Sequence, residues 1–200
     1  MTDMRRQDTP GFITIVRHGE PDADRRQRVD WRGYERWWAD YEERGLRDGQ
    51  APPPALLAQA EQAVHLFSSP APRALETAQA CAGGKPIEVD SVFVEAALPP
   101  PPFPGRMSAR TWGVPARCAW WLGFARGKES RGQAERRAAQ AADRLVEAAR
   151  TGPVMLFAHG WFNRMLRPAL KRRGYACVRD GGDVYWSWRR YEPKAAARGG

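Results

Sequence analysis

The sequence predicts an α/β fold: a three-layer α/β/α sandwich around a mostly parallel sheet. Three observations predict it. Short apolar, β-branched runs alternate along the chain with stretches of helical periodicity, the pattern of a parallel sheet covered by helices. The clearest runs are apolar throughout rather than alternating, so both faces of the sheet are buried. With 200 residues, 42% of them hydrophobic and 28% charged, the chain can bury one substantial core without disulfides or metals.

The elements follow in order. Phe12 to Val16 reads as a buried strand, entered through Pro10-Gly11. Tyr34 to Leu46 reads as a helix with Trp37, Trp38 and Tyr41 on one face, and Pro54 to Val64 as a second, opened by a proline suited to a first turn. Val64 to Phe67 is the next strand, Ala71 to Cys81 an alanine-rich helix closed by Gly83-Gly84, and Ile87 to Val89 a third strand. Pro115 to Phe124 and Ser130 to Arg150 are helical. Val154 to Ala158 is a strand entered through Gly152-Pro153, Phe162 to Arg173 a helix, and Val184 to Trp188 a last strand after the turn signal Asp180-Gly181-Gly182-Asp183. One domain is expected over residues 1–200, with 1–10 and 194–200 as frayed tails and 99–135 as a covering segment. The proline runs Pro52–Pro54 and Pro99–Pro104 read as stiff loops rather than docking motifs.

Composition excludes several classes. No apolar stretch is long enough to span a bilayer, and residues 1–9 lack the apolar core of a secretory signal. Three separated cysteines, Cys81, Cys118 and Cys177, form neither a disulfide framework nor a Cys-x-x-Cys pair. A reduced, cytoplasmic setting is expected. The net charge of +9 invites a nucleic-acid reading, but residues 1–100 carry 12 Lys or Arg against 16 Asp or Glu, and residues 101–200 carry 20 against 7. The surplus belongs to the second half. There Arg164, Arg167, Lys171, Arg172 and Arg173 read as a solvated helix face with cations toward its C-terminus. No nucleic-acid-reading motif accompanies them.

The chemistry-bearing residues lie at strand ends. His18 and His159 each follow a buried strand and precede a glycine, in Val16-Arg17-His18-Gly19 and Ala158-His159-Gly160. In an open parallel sheet, ligands bind beyond the carboxyl ends of the strands. A third strand runs into Ser68-Ser69-Pro70-Ala71-Pro72-Arg73, which puts Arg73 in the first turn of a helix. The helix dipole disfavours a cation there unless an anion joins it. Two guanidiniums with two imidazoles suit a phosphate, whereas a metal would want carboxylates or thiolates. His65 has no partner pattern and receives no role. Glu20 and Asp22 read as capping groups rather than as a pocket rim.

These segments resemble the histidine phosphatase superfamily, the group that includes phosphoglycerate mutases. The resemblance rests on Arg17-His18-Gly19-Glu20, on Ser68-Ser69-Pro70 with Arg73 and Thr77, and on Ala158-His159-Gly160, and it spans Phe12 to Asn163. It implies a phosphomonoesterase of the histidine acid phosphatase type. His18 would be the transiently phosphorylated nucleophile, with Arg17, Arg73 and His159 holding the phosphoryl oxygens and Asn163 as a further amide donor. Glu95 would be the proton donor, with Glu88 as its nearest rival. It also implies no cofactor, no metal, and a small phosphorylated substrate rather than nucleic acid or membrane.

The detail departs from the mutases. Their first signature continues Ser-x-Trp-Asn, where this chain has Pro21, Ala23 and Asp24. Ala96 stands in place of their arginine after the proton donor, and Trp161-Phe162 in place of their Asn-Ser. These changes favour a phosphatase over a mutase; a protein phosphohistidine phosphatase would need a shallow, open site, which the Trp-rich covering segments oppose. A non-catalytic phospho-ligand-binding module is disfavoured because nucleophile and proton donor are both present. Trp31, Trp37, Trp38, Trp112, Trp120 and Trp121 fall in the segments expected to cover the crevice.

Overall fold

A computed structural model describes residues 10–194. Of the expected frayed tails, 1–9 and 195–200 lie outside the described residues, and the backbone N–H of Lys194 is engaged by Gly174 O at 2.7 Å. The central sheet has six strands: β1 (Ile13–Arg17), β3 (His65–Ser68), β4 (Ile87–Val89), β6 (Val154–Ala158), β7 (Tyr175–Asp180) and β8 (Trp188–Pro193). Its order is β4-β3-β6-β1-β8-β7, with the first four parallel and the last two joined antiparallel. Two short strands, β2 (Arg28–Val29) and β5 (Met107–Ser108), pair apart from it.

Alternation along the strands divides two cores. Ile13, Ile15, Val154, Leu156 and Ala158 face one side, packed with α5 (Arg131–Ala148) and α6 (Gly160–Arg172). Val16, Met155 and Phe157 face the other, packed with α2 (Pro54–Gln62) and α3 (Pro72–Ala82). The period of two and helices on both faces make the three layers. On α5, Ala134, Ala138, Ala141, Ala142 and Leu145 form the buried stripe, and the four alanines let the helix sit close to α6. Ser130 and Gln133 complete a capping box at the start of α5.

A third aromatic core joins α1 (Trp31–Glu42) to α4 (Ala109–Trp121). It contains Tyr34, Trp37, Tyr41 and Trp112. The indole N–H of Trp112 donates to Val29 O at 2.8 Å, and that of Trp37 to Asp24 O at 3.0 Å. Trp120 belongs instead to the α5–α6 core and is fully buried.

Four sequence expectations are corrected. The first helix starts at Trp31, because Asp30 caps it through Gly33 N at 2.7 Å, and ends at Glu42 rather than Leu46. Helix α4 starts at Ala109, with Pro115 inside it rather than at its head. The last strand is Trp188–Pro193 rather than Val184–Trp188, and residues 175–180 form a strand that the sequence hid. Strand β8 contains Arg189 and Arg190, whose charge masks the alternation; Arg189 is nonetheless 6% exposed, because Asp180 and Asp183 neutralise it. Pro99, Pro100 and Pro101 are buried, as befits a packed loop.

Candidate active site

Strand register builds the site. In the parallel pair β1–β6, Arg17 lies opposite Ala158, so His18 and His159 leave their strands at one level. On the other side of β6, Ser68 lies opposite Phe157, which brings Ser69 and the first turn of α3 to the same edge. The imidazole centroids of His18 and His159 are 5.3 Å apart. Gly19 N donates to Thr77 Oγ1 at 3.0 Å, and Thr77 Oγ1 donates to Arg73 O at 2.6 Å. These two bonds tie the loop after β1 to the turn that carries Arg73.

The hydrogen bonds fix both histidine tautomers. His18 Nδ1 lies 2.7 Å from Gly19 O, which can only accept, so Nδ1 carries the proton and Nε2 keeps its lone pair. Burial, with Arg73, Arg17 and Arg25 nearby, holds its pKa well below the ordinary 6.5. His159 Nδ1 lies 3.4 Å from Arg73 Nη2, which can only donate, so the ring proton is on Nε2 and goes to Ser69 Oγ at 2.8 Å. Burial and Arg73 hold His159 well below 6.5 as well. Both rings are neutral.

Arg73 is fully buried and mostly engaged. Its Nη1 donates to Tyr41 O (3.1 Å) and Glu42 O (3.2 Å), and its Nη2 to Glu42 Oε1 (3.0 Å). The plane sits over the Tyr41 ring, and Nε is buried without a partner. Burial raises the pKa of Glu42 against the opposing pull of Arg73. Arg17 reaches Asp183 O through Nη1, lies over the Tyr185 ring at 4.4 Å, and also has a buried, unpartnered Nε.

Glu95 accepts from Phe162 N (2.7 Å) and Ala96 N (2.9 Å) on Oε1, and from Trp161 N (3.1 Å) on Oε2. It caps α6, whose N-cap His159 makes no side-chain cap of its own. Its rival Glu88, in β4, pairs with Arg144 of α5. Asn163 spends its amide on Val16 O at 3.0 Å.

Arg17, His18, Arg73 and Glu95 line one cavity of about 520 Å³. His159 and Asn163 lie behind its wall, fully or almost fully buried. Tyr34, Trp37, Trp38 and Tyr41 form an aromatic side, and α4 contributes Arg110, Val114 and Arg117. Glu20 and Asp22 line an adjoining cleft, Glu20 paired with Arg47 at 2.9 Å, so the rim reading replaces the capping one. His65 bonds Thr151 at 2.8 Å, away from the cavity.

The sequence reading missed the loop between β7 and β8, because it placed a strand there. Asp183 carries Arg164, Arg167 and Arg189 on its carboxylate while its carbonyl takes Arg17. The Tyr185 ring lies 5.7 Å from that of His18. Trp186 adopts φ +62°, a costly conformation for a tryptophan, and packs so closely on Gly19 that a Cβ there would lie 2.5 Å from the indole. The turn signal Asp180 to Asp183 was the one available hint. Among the described residues, no three His, Cys, Asp or Glu side chains gather as metal ligands, and no helix is long and apolar enough to cross a membrane. All three cysteines are free.

Comparison with solved structures returns the same architecture. A protein described as mycobacterial hydrolase 1 matches with TM-score 0.61 at 22% identity, over 94% of this chain and 92% of that one. A mycobacterial glucosyl-3-phosphoglycerate phosphatase matches with TM-score 0.59 at 23% identity, over 90% and 89%. A phosphoserine phosphatase from Entamoeba histolytica, in complex with phosphoserine, matches with TM-score 0.52 at 16% identity, over 81% and 80%. No curated protein matches the sequence. The model of the histidine phosphatase superfamily (branch 1) matches residues 13–181, which include both strand-end histidines, Arg73 and Glu95, and the chain therefore belongs to that superfamily.

Proposed function

We propose that the chain hydrolyses phosphomonoesters through a phosphohistidine on His18, as a metal-independent phosphatase of the histidine acid phosphatase type. The observation that carries the reading is the free Nε2 lone pair of a neutral His18, facing a cavity that it shares with Arg17, Arg73 and Glu95. A neutral imidazole needs no separate base to become nucleophilic.

In the first step, His18 Nε2 forms a bond to phosphorus as the ester P–O bond breaks. The guanidiniums neutralise the phosphoryl oxygens, the main demand of phosphoryl transfer. Two buried donors without partners, Arg17 Nε and Arg73 Nε, stand ready for them. His159 lies behind this layer, donating to Ser69 and accepting from Arg73, and so holds the guanidinium in place. The leaving oxygen takes a proton from Glu95. Its Oε2, with one longer contact, is the oxygen that can carry that proton; Oε1 already accepts two. In the second step, water attacks phosphorus, Glu95 takes a proton from it, and phosphate leaves as His18 Nε2 recovers its lone pair. A small phosphorylated substrate suits the cavity's size.

The test is trapping. Rapid acid-free quench with a labelled aryl phosphate should give an acid-labile, base-stable label on the chain, absent from His18→Ala and unaffected by chelator. Turnover that persists in His18→Ala, or that chelator abolishes, overturns the reading.

A further inference from the structure

The loop between β7 and β8 grips Arg17 at three points. The backbone N–H of Arg17 donates to Ser187 O at 2.9 Å, its Nη1 donates to Asp183 O, and its guanidinium lies 4.4 Å from the centre of the Tyr185 ring. The same loop reaches the next residue, since Trp186 N donates to His18 O at 3.3 Å. On its other side, the guanidinium lies against the first turn of α6: a Cβ on Gly160 would be 3.2 Å from Arg17 Nε.

The loop is itself anchored by charge. Asp183 Oδ2 accepts from Arg164 Nη2 at 2.7 Å and from Arg164 Nε at 3.1 Å. Its Oδ1 accepts from Arg189 Nη1 at 2.9 Å and from Arg167. Arg164 and Arg167 belong to α6 and Arg189 to β8, so one carboxylate ties the loop to both elements. Burial opposes its charge, yet Arg167, Arg189 and Arg164 hold the carboxyl below its ordinary 3.8. The side chain of Asp183 thus fixes the loop, while its main-chain carbonyl fixes a guanidinium that faces the cavity.

We propose that Asp183 is a positioning residue for phosphate binding, acting through Arg17. An arginine held in place beforehand does not lose its rotamer freedom at the moment of binding. The proposal rests on the phosphate-holding role given to Arg17 in the hydrolytic reading. Coulomb attraction alone predicts the opposite sign for a variant. Asp183 lines the cavity, and removing its negative charge there should draw phosphate in more tightly. Loss of positioning should weaken it instead.

The test is equilibrium binding of inorganic phosphate, followed by phosphorus NMR titration, with kcat/KM on an aryl phosphate beside it. Asp183→Asn should weaken phosphate about fivefold, the scale of ordering one arginine on binding, and lower kcat/KM in parallel. In an Arg17→Met background the same change should no longer weaken binding, because the guanidinium that it positions is gone. Arg167→Gln disturbs the anchor from outside the cavity. Its effect should be smaller and should depend on Arg17 in the same way, and it decides the matter if Asp183→Asn fails to fold. Ser130→Ala, which loosens α5 far from the loop, should leave phosphate affinity unchanged. Unchanged or tighter binding in Asp183→Asn, a loss that persists without Arg17, or an equal loss in Ser130→Ala overturns the positioning role while hydrolysis stands. Coupling between Asp183 and Arg17 in a native chain that turns over no aryl phosphate overturns hydrolysis while the positioning role stands. A native chain that binds no phosphate overturns both.

Discussion

Two buried neutral histidines make the stability of this protein depend on pH in a calculable way. His18 and His159 both titrate well below 6.5 in the folded chain, mainly through burial and then through Arg73. In the unfolded chain they titrate near 6.5. Below that value the unfolded state binds protons that the folded state refuses, so stability rises with pH across the window and is lost as pH falls. Two such groups give a limiting slope of at most about 3 kcal/mol per pH unit. Between pH 7 and pH 5.5 the loss is on the order of a few kcal/mol, a large share of the ~5–15 kcal/mol of a typical domain. The depressed aspartates, Asp143, Asp180 and Asp183, titrate below their ordinary 3.8 and stay out of this window, whereas Glu42, pushed up by burial against the pull of Arg73, works against the histidines, so the slope is read in a Glu42→Gln background. The assay is urea unfolding at half-unit steps from pH 5.5 to 7. His18→Gln and His159→Gln should each remove about half of the slope. A slope near zero in that background, or one that both variants leave intact, would refute the burial argument. The same shift predicts that His18, the proposed nucleophile, stays unprotonated in mildly acidic buffer.

Other outcomes follow from particular contacts. Glu42 occupies Arg73, so Glu42→Gln should tighten inhibition by inorganic phosphate several-fold; weaker inhibition would show that the carboxylate assists binding instead. Arg73→Lys cannot make the four donor contacts of Arg73 and should lower kcat/KM by about a hundredfold, in steady-state assay on an aryl phosphate. Gly19→Ala drives a methyl into the Trp186 indole, and a loss of about 1–3 kcal/mol in urea unfolding should accompany a fall in kcat. Ser130→Ala removes the capping box of α5 and should cost about 1 kcal/mol with activity retained.

By itself, the sequence determined the layers and which candidate site residues emerge at one edge of the sheet. Apolar runs such as Val154 to Ala158 are strands wherever they occur in a chain of this kind, and a residue that follows such a run must emerge at the sheet's carboxyl edge. That is why His18, His159 and Arg73 could be gathered from local pattern alone. What tertiary structure decided was each group's partner. Asn163 is spent on Val16 O, His159 stands behind Arg73, and Glu95 doubles as the cap of α6. None of these follows from spacing, because each contact joins residues more than 60 positions apart. The loop between β7 and β8 was hidden for a related reason. Its strands carry arginines that look solvent-exposed in one dimension, and only the antiparallel return of β8 beside β7 brings the carboxylates of Asp180 and Asp183 against Arg189 and allows it to be buried. Hydrophobic burial is written in local composition, whereas the neutralisation of a buried charge depends on which residue the fold brings beside it.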